Sequence, residues 1–172
     1  MPKFSHYIFI LLSLSLFSCG VNNPYSKEYD MSNPAKPIPN LITGGQPSEK
    51  DLQKLASEGV QTIVNLRAKD EFDKFDEKSL VESLGMEYVS IEMEGSGDIS
   101  KETAHKLDAI LNQGKNTLVH CASSNRVGGL LAYRAYLIQK QPLADALAFG
   151  EQAGMGSSEK QVRKLVKRDA KP

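Results

Sequence analysis

The sequence predicts an α/β fold of three layers, with a mostly parallel central sheet and helices on both faces. Short apolar runs rich in β-branched residues alternate with stretches whose apolar residues recur every three or four positions. Glycines or capping residues punctuate almost every junction between the two kinds of run. About 130 residues follow a polar, proline-bearing start, the size of one domain with one core. Strands separated by helices pair in parallel, because each connection carries the chain back over the sheet.

Leu41, Ile42 and Thr43 form a short apolar start, ended by Gly44-Gly45-Gln46-Pro47. Ser48 is placed to cap a helix, with Asp51 three residues on as the reciprocal acceptor, Leu52, Leu55 and Ala56 on one face and Gly59 as the stop. Residues 60–66 read as a buried strand ending at Arg67, and 68–76 as a charged loop. A helix through Leu80, Val81 and Leu84 stops at Gly85. Residues 86–93 alternate as a strand, 94–98 form a glycine-bearing loop, and Ser100 caps a helix carrying Ala104, Leu107, Ile110 and Leu111. Thr117, Leu118 and Val119 lead as a strand to His120, and a helix runs over 127–139. Pro142 opens a further helix through Leu143, Ala146, Leu147 and Phe149. Gly154-Met155-Gly156 breaks the chain before a last helix, capped by Ser157 or Ser158 and carrying Val162, Leu165 and Val166.

The chain opens with a weakly basic Met1-Pro2-Lys3 and the apolar run 7–17, too short to span a bilayer but suited to a secretory signal. Leu16-Phe17-Ser18-Cys19 looks like a bacterial lipobox. That resemblance implies a lipoprotein signal peptide over 1–18, acylation of Cys19, and an exported lipoprotein on the periplasmic side of the outer membrane or on the cell surface. An ordinary cleaved signal with Cys19 left free, or a cytosolic first helix, are the alternatives. Residues 19–37 read as a flexible tether and 38–172 as the domain. With 21 basic and 21 acidic residues the formal net charge is zero, which gives no support for nucleic acid as a partner. With Cys19 lipidated, Cys121 is the only thiol left, so it cannot be locked in an internal bridge.

The segment 120–129, His-Cys-Ala-Ser-Ser-Asn-Arg-Val-Gly-Gly, joins a strand to a helix. Main-chain N–H groups of such a loop converge on one point, the helix N-terminus adds positive charge, and a guanidinium supplies parallel donors: together they cradle an anion. A sulfur at its centre is expected to ionise readily, which makes Cys121 a nucleophile and Arg126 its anion-binding partner. Ala122, Ser123, Ser124 and Asn125 line the cradle, and His120 orients it. The competing readings are a small buried thiol for Cys121, a surface salt bridge for Arg126 and an ordinary strand-end histidine for His120. Asp98, in its loop after a strand, reads as a solvated loop acid or a neighbour of a helix cap. Arg67 is a second anion contact, or else the partner of Glu71. His105 and His120 lack metal-ligand spacing, so neither metal nor cofactor is expected. No glycine-rich mononucleotide loop with its lysine is present. The basic residues Lys160, Arg163, Lys164, Lys167 and Arg168 read as a solvated helix face.

His-Cys followed by small residues, Arg and Gly, between a strand and a helix, resembles the signature of cysteine-dependent protein tyrosine and dual-specificity phosphatases. With 42–47, with Val64-Asn65-Leu66-Arg67 and with the region 146–154, the chain resembles the bacterial beta-lactamase-hydrolase-like phosphatase group, related to phosphatase domains fused to NAD kinase. The resemblance spans about residues 38 to 155 and implies a phosphatase-like fold. It implies a membrane-tethered phosphatase that hydrolyses phosphomonoesters, of protein or small molecule, through a phosphocysteine on Cys121, with Asp98, ahead of Glu94 and Glu92, placed where such phosphatases bring the general acid. Two departures keep other chemistries open: four residues, not five, separate Cys121 from Arg126, and Val127 replaces the usual hydroxyl. Rhodaneses carry a comparably short loop, so a sulfurtransferase with a Cys121 persulfide is one alternative, and a catalytically silent anion-binding module is another.

Overall fold

The computed structural model describes residues 27–71 and 74–171. Strands β1 (Ala35–Ile38), β2 (Leu41–Gly44), β3 (Thr62–Asn65), β4 (Glu87–Ser90) and β5 (Thr117–His120) form one sheet in the order β1-β2-β5-β3-β4. All neighbours pair in parallel except β1, which runs antiparallel to β2 at the edge. The helices are α1 (Glu49–Ser57), α2 (Glu77–Ser83), α3 (Lys101–Leu111), α4 (Asn125–Leu137), α5 (Leu143–Gln152) and α6 (Glu159–Asp169).

Successive residues of a strand point to opposite faces, and here they enter two separate apolar clusters. Ile42, Ile63 and Leu118 pack with Leu52 and Leu55 of α1 and Val81 of α2. Leu41, Val64 and Val119 pack with Leu107 of α3, Leu130 of α4, Leu147 of α5 and Leu165 of α6. β2, β3 and β5 are buried along their whole length, which is why they read as apolar runs without alternation.

The caps read from the sequence are in place. Ser48 and Asp51 form a reciprocal box at the start of α1, Ser100 accepts from the Thr103 N–H at the start of α3, and Gly59 and Gly85 take φ of 82° and 78° after α1 and α2.

The folded part begins earlier than the sequence suggests. Tyr29 and Met31 are buried in the cluster under α1, and Ala35–Ile38 is a strand, so about the last half of the expected tether belongs to the fold. Prolines and the lack of an apolar period hid it; Pro37 is tolerated because an edge strand leaves one side unpaired. The expected signal segment 1–18 and Cys19 lie outside the described residues. Among the described residues no helix is long and apolar enough to cross a membrane.

The glycines after Arg126 are explained by packing. A Cβ on Gly128 would lie 2.2 Å from the Met155 main-chain nitrogen and 2.5 Å from the Gly150 carbonyl oxygen, so α4 and the end of α5 touch through main chain. Gly128→Ala is expected to lower stability, because overpacking against main chain costs roughly 1–3 kcal/mol, more than the helix propensity of up to about 1 kcal/mol that alanine brings. A melting temperature unchanged or raised in the variant would count against this close approach.

Candidate active site

β5 delivers His120 and Cys121 to the carboxyl end of the sheet, where open α/β sheets place their sites. The chain then turns through Ala122 and Ser123 into α4. Ser124 precedes that helix with φ 68°, an uncommon left-handed conformation for serine. This turn closes the short spacer and puts Arg126 in the first turn of α4. The helix starts two residues before the position expected from the sequence. Its first N–H groups lack helical acceptors and are available to an anion.

The loop is held from both sides by distant chain. The Gln46 N–H donates to the Ala122 carbonyl (3.2 Å), Asn33 Nδ2 to the Ser123 carbonyl (3.1 Å), and the Cys121 N–H to the Gly44 carbonyl (3.3 Å). On the other side the Ser124 hydroxyl donates to the Ala153 carbonyl (2.8 Å), an interaction that offsets the left-handed turn. Asn125 Oδ1 accepts from the N–H groups of Gly156 and Ser158, and the Ser158 hydroxyl donates to the Asn125 carbonyl instead of capping α6. The Asn125 side chain, expected to line the cradle, therefore fastens it to the α5–α6 connection.

Cys121 is 1% exposed and Arg126 8%. Arg126 donates from Nη1 to the Met93 carbonyl (2.5 Å) and from both terminal nitrogens to the Glu71 carboxylate. The Glu71 hydrogen bond raises the Arg126 pKa above its usual value, burial opposes it, and the charge of Cys121 adds to the rise. In return Arg126 holds the Glu71 carboxyl below the usual range, against burial and with help from the Ala68 N–H. Beside this pair opens a cleft of about 710 Å³, lined by 68–71, 92–94 and Asp98. Asp98 is exposed on its wall, and its Oδ2 accepts from the N–H groups of Glu94 (2.7 Å) and Gly95 (3.3 Å).

Arg67 differs from its expected place. It is 5% exposed, and it pairs with Glu77 while donating through Nε to Asn65 Oδ1 (3.0 Å), so its charge serves the protein beneath the loop rather than an anion in it. His120 is fully buried, with Nε2 2.7 Å from Glu77 Oε1. Glu77 is thus shared by His120 and Arg67. Burial pushes its carboxyl up, but His120, by hydrogen bond and charge, and then Arg67 and Gln46 outweigh burial and hold it below the ordinary range. Sequence reading missed Glu77, because an acidic residue in the first turn of a helix is ordinary in itself. It also missed the Glu71 to Arg126 pair, whose members are 55 residues apart.

These two carboxyls set an acid limit on stability. Both have folded-state pKa values below the unfolded value of about 4.5, so their contribution is complete above that pH and is lost as pH falls through the folded values. The melting temperature is expected to fall between about pH 5 and about pH 3, and a flat profile there would contradict the pairing.

Among the described residues no group of three or more His, Cys, Asp or Glu side chains could hold a metal ion. A family model described as DSP-PTPase phosphatase fused to NAD+ kinase matches residues 20–168. None of the curated proteins compared matches the chain by sequence. Among solved structures, a DUF442 protein from Shewanella putrefaciens CN-32, described as a candidate phosphatase, is 21% identical, with 81% of this chain and 90% of that chain covered and a TM-score of 0.62. A second candidate phosphatase, from Neisseria meningitidis z2491, is 19% identical over 77% of this chain and 96% of its own, with a TM-score of 0.65. TpbA of P. aeruginosa, solved in complex with phosphotyrosine, is 17% identical over 78% and 83%, with a TM-score of 0.62. At these identities the likeness is one of fold.

Proposed function

The chain belongs to the family of dual-specificity-type phosphatases described as fused to NAD+ kinase, and from that premise we propose that it hydrolyses phosphate monoesters through a phosphocysteine on Cys121. One observation carries the reading: a lone sulfur at the end of β5 shares a left-handed turn and a helix start with the Arg126 guanidinium.

The sulfur of Cys121 attacks phosphorus, forming an S–P bond as the P–O bond to the leaving group breaks. Arg126 and the N–H groups of the loop from Ala122 to Asn125 hold the oxygens over which charge spreads. Asp98, on the wall of the adjoining cleft, gives a proton to the leaving oxygen. Water then attacks phosphorus, the S–P bond breaks, and phosphate leaves as Asp98 regains a proton.

The substrate class is a phosphorylated protein or small molecule; TpbA, seen with phosphotyrosine, supports an aryl phosphate as the first probe. Acylation at Cys19 tethers the enzyme to a membrane on the exported side, a reading supported by Leu16-Phe17-Ser18-Cys19.

The test uses the full-length chain with Cys19→Ser, so that Cys121 is the only thiol. Aryl phosphate should release phosphate, and a rapid alkaline quench should leave one phosphoryl group on Cys121. A gain of one sulfur from thiosulfate without phosphate release would instead make the protein a sulfurtransferase. A rise in melting temperature with phosphate, without turnover, would make it an anion-binding module.

A further inference from the structure

Beneath the reactive loop lies a chain of buried polar groups that the reaction does not touch. The Tyr88 hydroxyl accepts from Asn65 Nδ2 (2.7 Å), Asn65 Oδ1 accepts from Arg67 at N (2.8 Å) and Nε (3.0 Å), and Arg67 pairs with Glu77. Glu77 ends the chain with two contacts directed at the loop. Its Oε1 lies 2.7 Å from Nε2 of His120, the residue before the nucleophile. Its Oε2 accepts from the Gln46 side-chain amide (3.4 Å), whose main-chain N–H holds the Ala122 carbonyl, the residue after the nucleophile.

We propose that Glu77 is a positioning residue for the reaction at Cys121: its buried carboxylate, anchored by Arg67, orients His120 and Gln46 and through them the main chain on both sides of the sulfur. This rests on the phosphatase reading above.

The arrangement fits that role better than one of simple stability. A charged pair so deeply buried is costly to desolvate and is weak evidence for stability on its own. What the pair provides here is direction. Nε2 of His120 lies 2.7 Å from the Glu77 carboxylate, so the proton of a neutral ring belongs on Nε2, facing Glu77. The ring is thereby fixed at a strand end where a small rotation would carry Cys121 with it. The groups facing Glu77 are Arg67 from the end of β3, His120 from β5, Gln46 from the end of β2 and Tyr88 from β4, whose hydroxyl burial keeps protonated.

The experiment compares the full-length chain with Glu77→Gln, His120→Gln and the double variant on an aryl phosphate across pH. In Glu77→Gln, kcat is expected to fall by about ten- to a hundredfold, because misplacing a nucleophile by a fraction of an ångström is enough for that. KM should stay within about threefold, since Arg126 and the loop amides still hold phosphate. The acid limb of kcat should also move when the carboxyl is removed. His120→Gln should give a similar loss, and the double variant no more than the larger single loss, because both act through one contact.

Independent multiplicative losses, or an unchanged kcat and pH profile in a folded Glu77→Gln, would overturn the proposal. If Glu77→Gln fails to fold, the wild-type protein decides by nitrogen NMR of the imidazole: a proton on Nε2 supports the proposal, and a neutral ring protonated only on Nδ1 overturns it. Loss of activity in the wild type itself would instead remove the phosphatase reading.

Discussion

Cys121→Ser is expected to abolish release of phosphate from an aryl ester, by on the order of 10⁴-fold or more. Serine keeps the size of the side chain, so the loop, its ties to Gly44, Gln46 and Ala153, and the anion-binding groups remain. What goes is the nucleophile. A serine hydroxyl needs a base to attack phosphorus, and the imidazole next along the chain is turned toward Glu77 on the buried side. The measurement is a steady-state assay beside a melt in inorganic phosphate. The variant should show no turnover yet still gain stability from phosphate, because the ligand binds the folded state only. Turnover retained in Cys121→Ser would remove the proposed chemistry altogether.

Arg126→Lys is the second large effect. The guanidinium donates from both terminal nitrogens to Glu71, with Nη1 also on the Met93 carbonyl, which steadies its plane beside the sulfur. An ammonium is a point charge without that plane. It cannot pair with Glu71 at two oxygens and present parallel donors to a phosphoryl group at the same time. kcat/KM is expected to fall by roughly 10²- to 10³-fold, with both kcat and KM affected, since the group holds phosphate in the ground state and more tightly as charge spreads. A lysine variant within tenfold of wild type would show that charge alone suffices and that the Glu71 clamp is incidental.

Local signals carried most of the fold. Ser48 with Asp51, Ser100, and the glycines at 59 and 85 are read within four residues of sequence, and each marks a helix end in the structure. β5, from which the site is built, is bounded as the sequence suggests. The segment 29–38 was not legible, because it contributes two isolated anchors, Tyr29 and Met31, and a proline-bearing edge strand rather than a periodic run.

The site divides in the same way. Cys121, Arg126 and the loop between them are contiguous, so a single stretch of sequence groups them, and the structure keeps them together between β5 and α4. Which acid meets which base is a long-range matter: Glu71 is four residues from Arg67 yet pairs with Arg126, while Arg67 turns inward to Glu77. Asn125 reads as a lining residue because it stands in the loop, but Gly156 and Ser158 draw its side chain away.

Those ties from Ser124 and Asn125 to Ala153, Gly156 and Ser158 also order events in time. A ribosome makes the sulfur long before it makes the residues that close the ring around it. A nascent chain, or one cut short ahead of Ser158, therefore carries its nucleophile without a finished anion site. On the proposed reading, such a chain is expected to release no phosphate from an aryl ester.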